Sequence, residues 1–193
     1  MRVVFIRHGM TAGNESKRYV GTTDESLCEK GRILIQQKVL ANKYPDIKQL
    51  VVSPMKRCVE TADIIYPAMQ KISYEKLKEC DFGEFEYKNY MDLADNPSFQ
   101  DWIDSEGKLP FPGGESMEQF RARCVEAFLQ VIEEAKEEII GLVVHGGTIM
   151  SILSEYCKER DGYFDWMVKN GCGFICEYDT QQKRLYVMEE IND

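Results

Sequence analysis

Short apolar runs are spread along the whole chain, and they predict the strands of the fold. The first run, residues 2–7, is continuous rather than alternating, which is typical of a strand that is buried on both faces. The last two runs predict a closing hairpin across Asp179–Lys183. In chain order, the runs predict strands over residues 2–7, 50–53, 72–75, 139–144, 174–178 and 184–188.

Between these runs, apolar residues recur at intervals of three and four, as on helices with one buried face. Pro54 is suited to open the second of these helices, because proline fits the first helical turn. Ser116 and Gln119 form a capping-box pattern at the start of the third. The spacing predicts helices over residues 29–43, 54–65, 116–138 and 148–158.

Residues 79–115 lack a strong period and carry aromatic residues among acids and prolines. A segment of this length without periodicity is usually functional, so we expect a lid or specificity region. Its aromatic residues are expected to form either a specificity wall or a small satellite core. The rest of the chain alternates strands with helices, which is typical of an α/β fold. We therefore expect a three-layer α/β/α sandwich with a mostly parallel central sheet, an antiparallel edge strand and a lid-like insertion, built as a single domain over residues 1–193.

Composition and charge exclude several classes of function. The chain has 193 residues, with 24 basic against 33 acidic side chains and a net charge of −9, which argues against nucleic acid as a partner. Seven cysteines contain no C-x-x-C pair, so we expect reduced thiols and neither a zinc cluster nor another cofactor. No apolar stretch is long enough for a signal peptide or a membrane span, so we expect a cytoplasmic protein without a membrane partner.

The chain contains only two histidines, and both occupy the same kind of position. His8 and His145 each follow an apolar run, and each is followed by a glycine. The carboxyl ends of strands are where an open α/β sheet binds its ligands. The two imidazoles are therefore expected to share one active site.

Longer motifs surround both histidines. Residues 7–14, Arg-His-Gly-Met-Thr-Ala-Gly-Asn, resemble the RHGxTxxN opening of the histidine phosphatase superfamily, the phosphoglycerate-mutase-like proteins. Further segments resemble that family's motifs in the same order, at residues 21–31, 53–62, 77–83, 112–116 and 144–148. The resemblance covers residues 1–150 or more. It implies a hydrolase of the phosphatase branch, similar to α-ribazole phosphatases, that acts on a small phosphorylated metabolite.

The resemblance also implies a role for individual residues. His8 would be the nucleophile that becomes phosphorylated, and Glu79 would be the proton donor. Asp81, Glu84 and Glu86 lie close to Glu79 in the sequence and stay open as alternative donors. The phosphate pocket would be formed by Arg7, Arg57 and His145, with Asn14 and Gly146 as added contacts and Thr22 and Thr23 as possible substrate contacts.

The same chemistry follows from the residue types. A neutral imidazole can attack phosphorus and form a phosphohistidine, which splits one hard step into two. Arginine forks suit the equatorial oxygens of a phosphoryl group, and a buried carboxyl near neutral pH can donate and later accept a proton. A phosphate dianion would favour a protonated His145, which then offers two donors. These charges would act without a metal ion.

The chain departs from the family pattern in two places that concern local structure. Cys28 stands where threonine is usual at a helix start, and a cysteine cap is expected to be weaker by about 1 kcal/mol. Tyr87 stands where a glycine is usual, beside the expected proton donor.

Three other functions are weighed against a general phosphatase. The first two are an α-ribazole-5′-phosphate phosphatase and a phosphoglycerate mutase; the short chain after the final hairpin favours a phosphatase over a mutase. The third is a pseudophosphatase that binds phosphorylated ligands without turnover. The presence of His8, His145 and Glu79 argues against this last alternative.

Overall fold

Six strands form one sheet in the order β3-β2-β4-β1-β5-β6 in a computed structural model that describes residues 1–192. Strands β1 to β4 pair in parallel, and β5 pairs antiparallel with both β1 and β6. The expected antiparallel edge is therefore a hairpin, β5–β6. The strands are β1 Arg2–Arg7, β2 Gln49–Val52, β3 Lys71–Ser73, β4 Ile139–Val144, β5 Gly173–Asp179 and β6 Arg184–Ile191.

Helices cover both faces of this sheet. Alternate residues of β1 explain why: Val3 and Phe5 belong to one buried cluster, and Val4 and Ile6 to another. Helices α6 and α7 pack on the first face and α2 and α3 on the second, which confirms the three-layer sandwich. The helices are α1 Ala12–Glu15, α2 Glu29–Leu40, α3 Lys56–Ile65, α4 Tyr90–Leu93, α5 Pro97–Asp104, α6 Met117–Glu133 and α7 Gly146–Tyr156.

The predicted helices exist, but several of their ends are shifted. The helix expected over 116–138 ends at Glu133, and Gln49 Oε1 accepts the Lys136 N–H at 3.0 Å as the chain turns into β4. The helix expected to open at Pro54 begins at Lys56, whose N–H is accepted by Asp24 Oδ1 at 2.7 Å. The helix expected from residue 148 begins at Gly146, because His145 is its N-cap. The sequence did not predict this first turn because it contains Gly146 and Gly147, and glycine is a poor helix former.

The buried aromatic residues of 79–115 extend the main core, because they belong to the same hydrophobic cluster as Phe120 of α6, and do not form the separate satellite core that was one of the two expectations. Phe85, Phe99 and Phe111 are buried. The ring of Phe85 lies 5.3 Å from that of Phe99 and 5.9 Å from that of Phe111, between centroids, and Trp102 stacks on Phe111 at 5.1 Å. Helices α4 and α5, which the sequence did not predict, carry part of this cluster. That the segment acts as a lid stays a prediction.

Tyr87 joins the segment 79–115 to the loop after β1, in a backbone conformation that explains the glycine usual there. Its φ is +59°, in the left-handed region, where a side chain costs roughly 1–2 kcal/mol. Its backbone N–H donates to the Tyr19 carbonyl at 2.7 Å. Its hydroxyl donates to Glu25 Oε2 at 3.1 Å, and Arg18 lies over its ring. These contacts hold the strained residue in place.

No helix within residues 1–192 is long and apolar enough to cross a membrane.

Helix α2 begins with the cysteine cap expected to be weak. Cys28 Sγ accepts the Gly31 N–H at 3.4 Å, a weak hydrogen bond because a thiol sulfur is a poor acceptor. A threonine hydroxyl would accept this N–H more strongly, so Cys28→Thr is expected to raise the free energy of unfolding by about 0.5–1 kcal/mol. Urea denaturation measures the difference. Valine has the same shape as threonine but no acceptor, so Cys28→Val should give no such gain. Equal stability of the threonine and valine variants would show that the cap contributes nothing.

Candidate active site

His8 follows the last residue of β1, and its ring is fixed by its own neighbour in sequence. The side chain is buried, and Nδ1 lies 2.7 Å from the Gly9 carbonyl oxygen. Because a carbonyl only accepts hydrogen bonds, Nδ1 must carry the proton. Nε2 then keeps its lone pair, which makes it the nucleophilic nitrogen. The Gly9 N–H in turn donates to Thr61 Oγ1 at 2.9 Å.

His145 lies beside His8, with 5.1 Å between the ring centroids. Arg57 Nε donates to His145 Nδ1 at 3.3 Å, and His145 Nε2 lies 2.8 Å from Ser53 Oγ. A guanidinium has no acceptor, so Nδ1 is unprotonated and Nε2–H donates to the serine. The imidazole of His145 is therefore neutral in this state.

Electrostatics favour neutral rings at both histidines. Burial lowers the pKa of His8 well below its usual range, and the charges of Arg57 and Arg7 lower it further. Burial and the charge of Arg57 do the same to the pKa of His145. The protonated His145 expected from the sequence is thus not the state of the free site. An incoming phosphate dianion would have to supply the stabilisation that the free site lacks.

Arg57 is fully buried, and most of its donors bind the chain itself. Its guanidinium donates to the carbonyls of Thr23 at 2.8 Å, of Gly21 at 2.9 Å and of Val20 at 3.3 Å, in addition to His145. Of the five N–H groups of a guanidinium, one remains. Arg57 therefore holds the loop 20–23 against His145, which the sequence did not predict, and has one donor left for a ligand.

Arg7 is the last residue of β1 and has an unsatisfied donor. One Nη1 hydrogen bond goes to the Val168 carbonyl at 2.7 Å, whereas Nε is buried without a partner among residues 1–192. A buried donor without a partner costs about 1–3 kcal/mol. Gly146, the first residue of α7, lies so close that a Cβ built on it would be 3.3 Å from Arg7 Nε. An anion held between Arg7 and the α7 N-terminus would satisfy this donor.

Glu79 reaches the same end of α7. Its carboxylate accepts the Cys80 N–H at 3.0 Å and the Gly147 N–H at 3.2 Å. Burial raises the pKa of Glu79 above its usual value, more than these hydrogen bonds lower it. A Cβ at position 147 would lie 2.4 Å from Glu79 Oε1, so the close approach depends on glycine. The arrangement is that of a carboxyl that can hold a proton beside a phosphate site.

The three alternative carboxylates have other contacts. Asp81 Oδ1 accepts the Gly83 N–H at 2.9 Å. Glu86 Oε1 accepts the N–H groups of Gly21 at 2.8 Å and Thr23 at 2.9 Å, so it shapes the loop that Arg57 also holds. Glu84 is exposed to solvent. Glu79 is the one of the four that contacts the start of α7.

The ion pair of Arg123 and Glu115 holds the backbone of Glu79. The sequence did not predict this pair. Arg123 Nε and Nη2 donate to the two Glu115 oxygens at 2.6 and 2.7 Å. Nη2 also donates to the Glu79 carbonyl at 2.8 Å. Although burial alone would raise the pKa of Glu115, these hydrogen bonds lower it. The one sequence signal was Glu115 itself, in the segment Pro112–Ser116 that resembles a family motif.

The remaining predicted residues lie around the rim of the site. Asn14 belongs to the capping box of α1, in which its Oδ1 accepts the N–H of the N-cap residue Thr11 at 3.3 Å. Thr22 is exposed and Thr23 contributes its carbonyl to Arg57. Thr22 and Glu79 both line a cavity of about 360 Å³, which also includes Met55, Glu75, Lys78, Asp81, Glu115 and Arg123. The roles of Asn14, Thr22 and Thr23 toward a ligand stay predictions.

No group of three or more His, Cys, Asp or Glu side chains is placed to hold a metal ion in the part of the chain from residue 1 to 192.

The lowered pKa values of both histidines predict a loss of stability in acid. Their ordinary pKa in an unfolded chain is about 6.5, and the folded values lie below it. As the pH falls below about 6.5, the unfolded chain takes up protons first, so the free energy of unfolding decreases by about 1.4 kcal/mol per pH unit for each histidine. Above about 6.5 this contribution is complete.

Urea denaturation at several pH values measures this slope. His8→Asn keeps one such histidine and should show about half of the slope of the unmodified chain. Saturating inorganic phosphate should also reduce the slope, because the dianion favours a protonated His145 in the folded state. The same slope in the unmodified chain and in His8→Asn would contradict the assignment of two buried neutral rings.

Comparison with known proteins identifies the family. Residues 3–191 match the model of the histidine phosphatase superfamily, branch 1. A protein of Hydrogenobacter thermophilus named "Putative phosphoserine phosphatase 2" is 31% identical over 158 residues, which are 79% of this chain and 76% of that protein. A 2,3-bisphosphoglycerate-dependent phosphoglycerate mutase of Gloeobacter violaceus is 29% identical over 165 residues, 79% and 74% of the two chains.

Among solved structures, the α-ribazole phosphatase of Shigella flexneri superposes with a TM-score of 0.88. The match covers 100% of this chain and 96% of that one at 20% sequence identity. At this identity the similarity establishes the fold.

Proposed function

The chain belongs to the histidine phosphatase superfamily and is a phosphatase, and we propose that it hydrolyses small phosphomonoesters through a phosphohistidine on His8 without a metal ion. One observation carries the mechanism: His8 Nδ1 is committed to the Gly9 carbonyl, so Nε2 is free for attack. The unsatisfied Nε of Arg7 and the one remaining N–H of Arg57 are donors for the phosphoryl oxygens.

In the first step, the Nε2 lone pair attacks phosphorus and the P–O bond to the leaving group breaks. Glu79, whose pKa is raised by burial, is the group placed to give a proton to the departing oxygen. Charge spread over the equatorial oxygens is stabilised by Arg7, Arg57 and the N-terminus of α7. The products of this step are the free alcohol and the phosphohistidine.

In the second step, water attacks the phosphohistidine. The Glu79 carboxylate left by the first step accepts the proton of that water, and the P–N bond breaks to release inorganic phosphate. His8 returns to the neutral tautomer that the Gly9 carbonyl selects. His145 lies beside the transferred group. A bound dianion favours its protonated form, for which Nδ1 takes a proton from solvent and no longer accepts from Arg57 Nε; the proton returns to solvent when phosphate leaves.

The substrate class proposed is a small phosphorylated metabolite. The relative named for phosphoserine supports a compact leaving group with a primary alcohol. The α-ribazole alternative rests on similarity of fold. The mutase alternative rests on relatives of comparable identity and would use the same phosphohistidine, with a second hydroxyl in place of water.

Turnover of p-nitrophenyl phosphate in the presence of EDTA tests the proposal. We expect hydrolysis across about pH 5 to 8 that excess EDTA leaves unchanged, because the charges around His8 replace a metal. Absence of turnover with a folded chain would favour the pseudophosphatase. Phosphoserine, α-ribazole phosphate and 3-phosphoglycerate then serve as competing substrates, and release of inorganic phosphate distinguishes hydrolysis from transfer.

A further inference from the structure

The side-chain amide of Asn170 contacts the backbone of the nucleophile. Asn170 Nδ2 lies 3.1 Å from the His8 carbonyl oxygen, 3.4 Å from the Gly9 carbonyl oxygen and 3.1 Å from Asn14 Oδ1. All three neighbours are acceptors, so the atom that faces them must be the NH₂ group. Only one of the two orientations of the Asn170 amide is therefore compatible with its neighbours.

The Gly9 carbonyl connects Asn170 to the nucleophile. This oxygen also accepts from His8 Nδ1, and that hydrogen bond decides which ring nitrogen is free to attack. The Gly9 N–H is held by Thr61 Oγ1 at 2.9 Å. The Gly9 residue is thus held at its N–H by Thr61 and at its carbonyl oxygen by the longest of the three Asn170 contacts, at 3.4 Å.

The next residue strengthens the same attachment. The Gly171 N–H donates to the carbonyls of Arg7 at 3.0 Å and His8 at 3.2 Å. Gly171 has a φ of +72°, in the left-handed region that glycine adopts without strain. The turn therefore delivers a backbone donor and a side-chain donor to the end of β1 together.

Asn170 also limits what Asn14 can offer a ligand. Asn14 Oδ1 already accepts from Asn170 Nδ2 and from the Thr11 N–H. Only the NH₂ group of Asn14 is left, which is the group that a phosphate oxygen can accept from.

We propose that Asn170 is a positioning residue for the transfer reaction, a role that rests on the proposed function of His8 as nucleophile. Through the Gly9 carbonyl it holds His8 in the tautomer with a proton on Nδ1. Through Asn14 Oδ1 it turns the amide nitrogen of Asn14 toward the phosphoryl group. Asn170→Asp would place a carboxylate against two carbonyl oxygens and an amide oxygen, and would disturb both contacts.

The experiment combines kinetics with a spectroscopic signature. The chain has two histidines, so ¹⁵N-histidine labelling gives four ring nitrogens to assign, with the His8→Asn variant identifying those of His8. We expect His8 of the unmodified chain as the Nδ1–H tautomer, and Asn170→Asp as a mixture of tautomers. The burst of p-nitrophenolate should slow by roughly 10- to 100-fold, with kcat reduced more than KM.

Two further variants keep the test decisive. Asn170→Ala removes the donor without adding charge and should show the same direction of change if the aspartate variant fails to fold. Asn192→Asp is the matched control, because Asn192 is exposed and donates only to Glu190 Oε2, at 3.1 Å, among the described residues. Its burst and tautomers should be unchanged.

Two results would overturn the inference. One is an Nε2–H tautomer of His8 in the unmodified chain. The other is a burst rate within about twofold of normal in both Asn170 variants, with the tautomer retained. Failure of the proposed function would give a different result, because the unmodified chain itself would then show neither a burst nor a phosphohistidine.

Discussion

Replacement of His8 by alanine is expected to lower kcat for every phosphomonoester by roughly 10⁴-fold or more, because the step that forms the covalent intermediate is lost. Among residues 1–192, the nearest candidate nucleophiles are unsuited to substitute for it. The Nδ1 lone pair of His145 is occupied by Arg57, and its Nε2–H is occupied by Ser53. Burial raises the pKa of the adjacent Cys58 thiol to about 12, so it stays protonated and a poor nucleophile.

Steady-state hydrolysis of p-nitrophenyl phosphate measures this loss, with thermal unfolding as the check that the variant is folded. The matched control is Asn192→Asp, a variant of an exposed residue remote in the sequence from both histidines. A folded His8→Ala protein that retains a tenth or more of normal turnover would show that His8 is not the nucleophile.

Replacement of Glu79 by glutamine is expected to depend strongly on the leaving group. For an alkyl phosphate, whose alkoxide needs a proton, kcat/KM should fall by roughly 10²- to 10⁴-fold. For p-nitrophenyl phosphate, whose p-nitrophenolate leaves without a proton, kcat/KM should change little. The glutamine keeps the shape of the carboxylate but only one oxygen for the two N–H groups of Cys80 and Gly147. The rate with p-nitrophenyl phosphate is therefore the internal control, because a structural loss would lower it as well.

The pH dependence gives a second signature of the same residue. The pKa of Glu79 is raised by burial, so the protonated form persists to higher pH than for an ordinary glutamate. Hydrolysis of the alkyl phosphate should therefore decline as the pH rises through that raised pKa, and Glu79→Gln should abolish this decline. Glu84→Gln, a change of an exposed neighbour, should leave both profiles intact. Equal slowing for good and poor leaving groups would remove Glu79 from the role of proton donor.

Patterns that are local in sequence predicted the fold well. Apolar runs marked the central strands β1, β2 and β4 because these are buried along most of their length, and β4 matches its predicted bounds, Ile139–Val144. Helix ends were predicted less well, because they depend on partners distant in sequence. The start of α3, for example, is fixed by Asp24, which lies in the loop after β1.

The same division holds for the site. His8, Arg7, Arg57, Glu79 and His145 stand in motifs, and the structure brings them together at the carboxyl ends of β1 and β4. The contacts that orient them were not predictable. Arg57 binds three carbonyls of its own chain, and Asn170 contacts His8 across 162 positions of sequence. Neither partner has a local signature, because a carbonyl is present at every residue.

The most direct test of the account is to find the atom that carries the phosphoryl group. Glu79→Gln should form the phosphohistidine from p-nitrophenyl phosphate at a nearly normal rate and hydrolyse it slowly, because the base for water is missing. Rapid quenching at neutral pH followed by mass spectrometry and ³¹P NMR should then find close to one phosphoryl group per chain, on His8 Nε2. A phosphoryl group on another residue, or product formation without any phosphorylated His8, would contradict the mechanism.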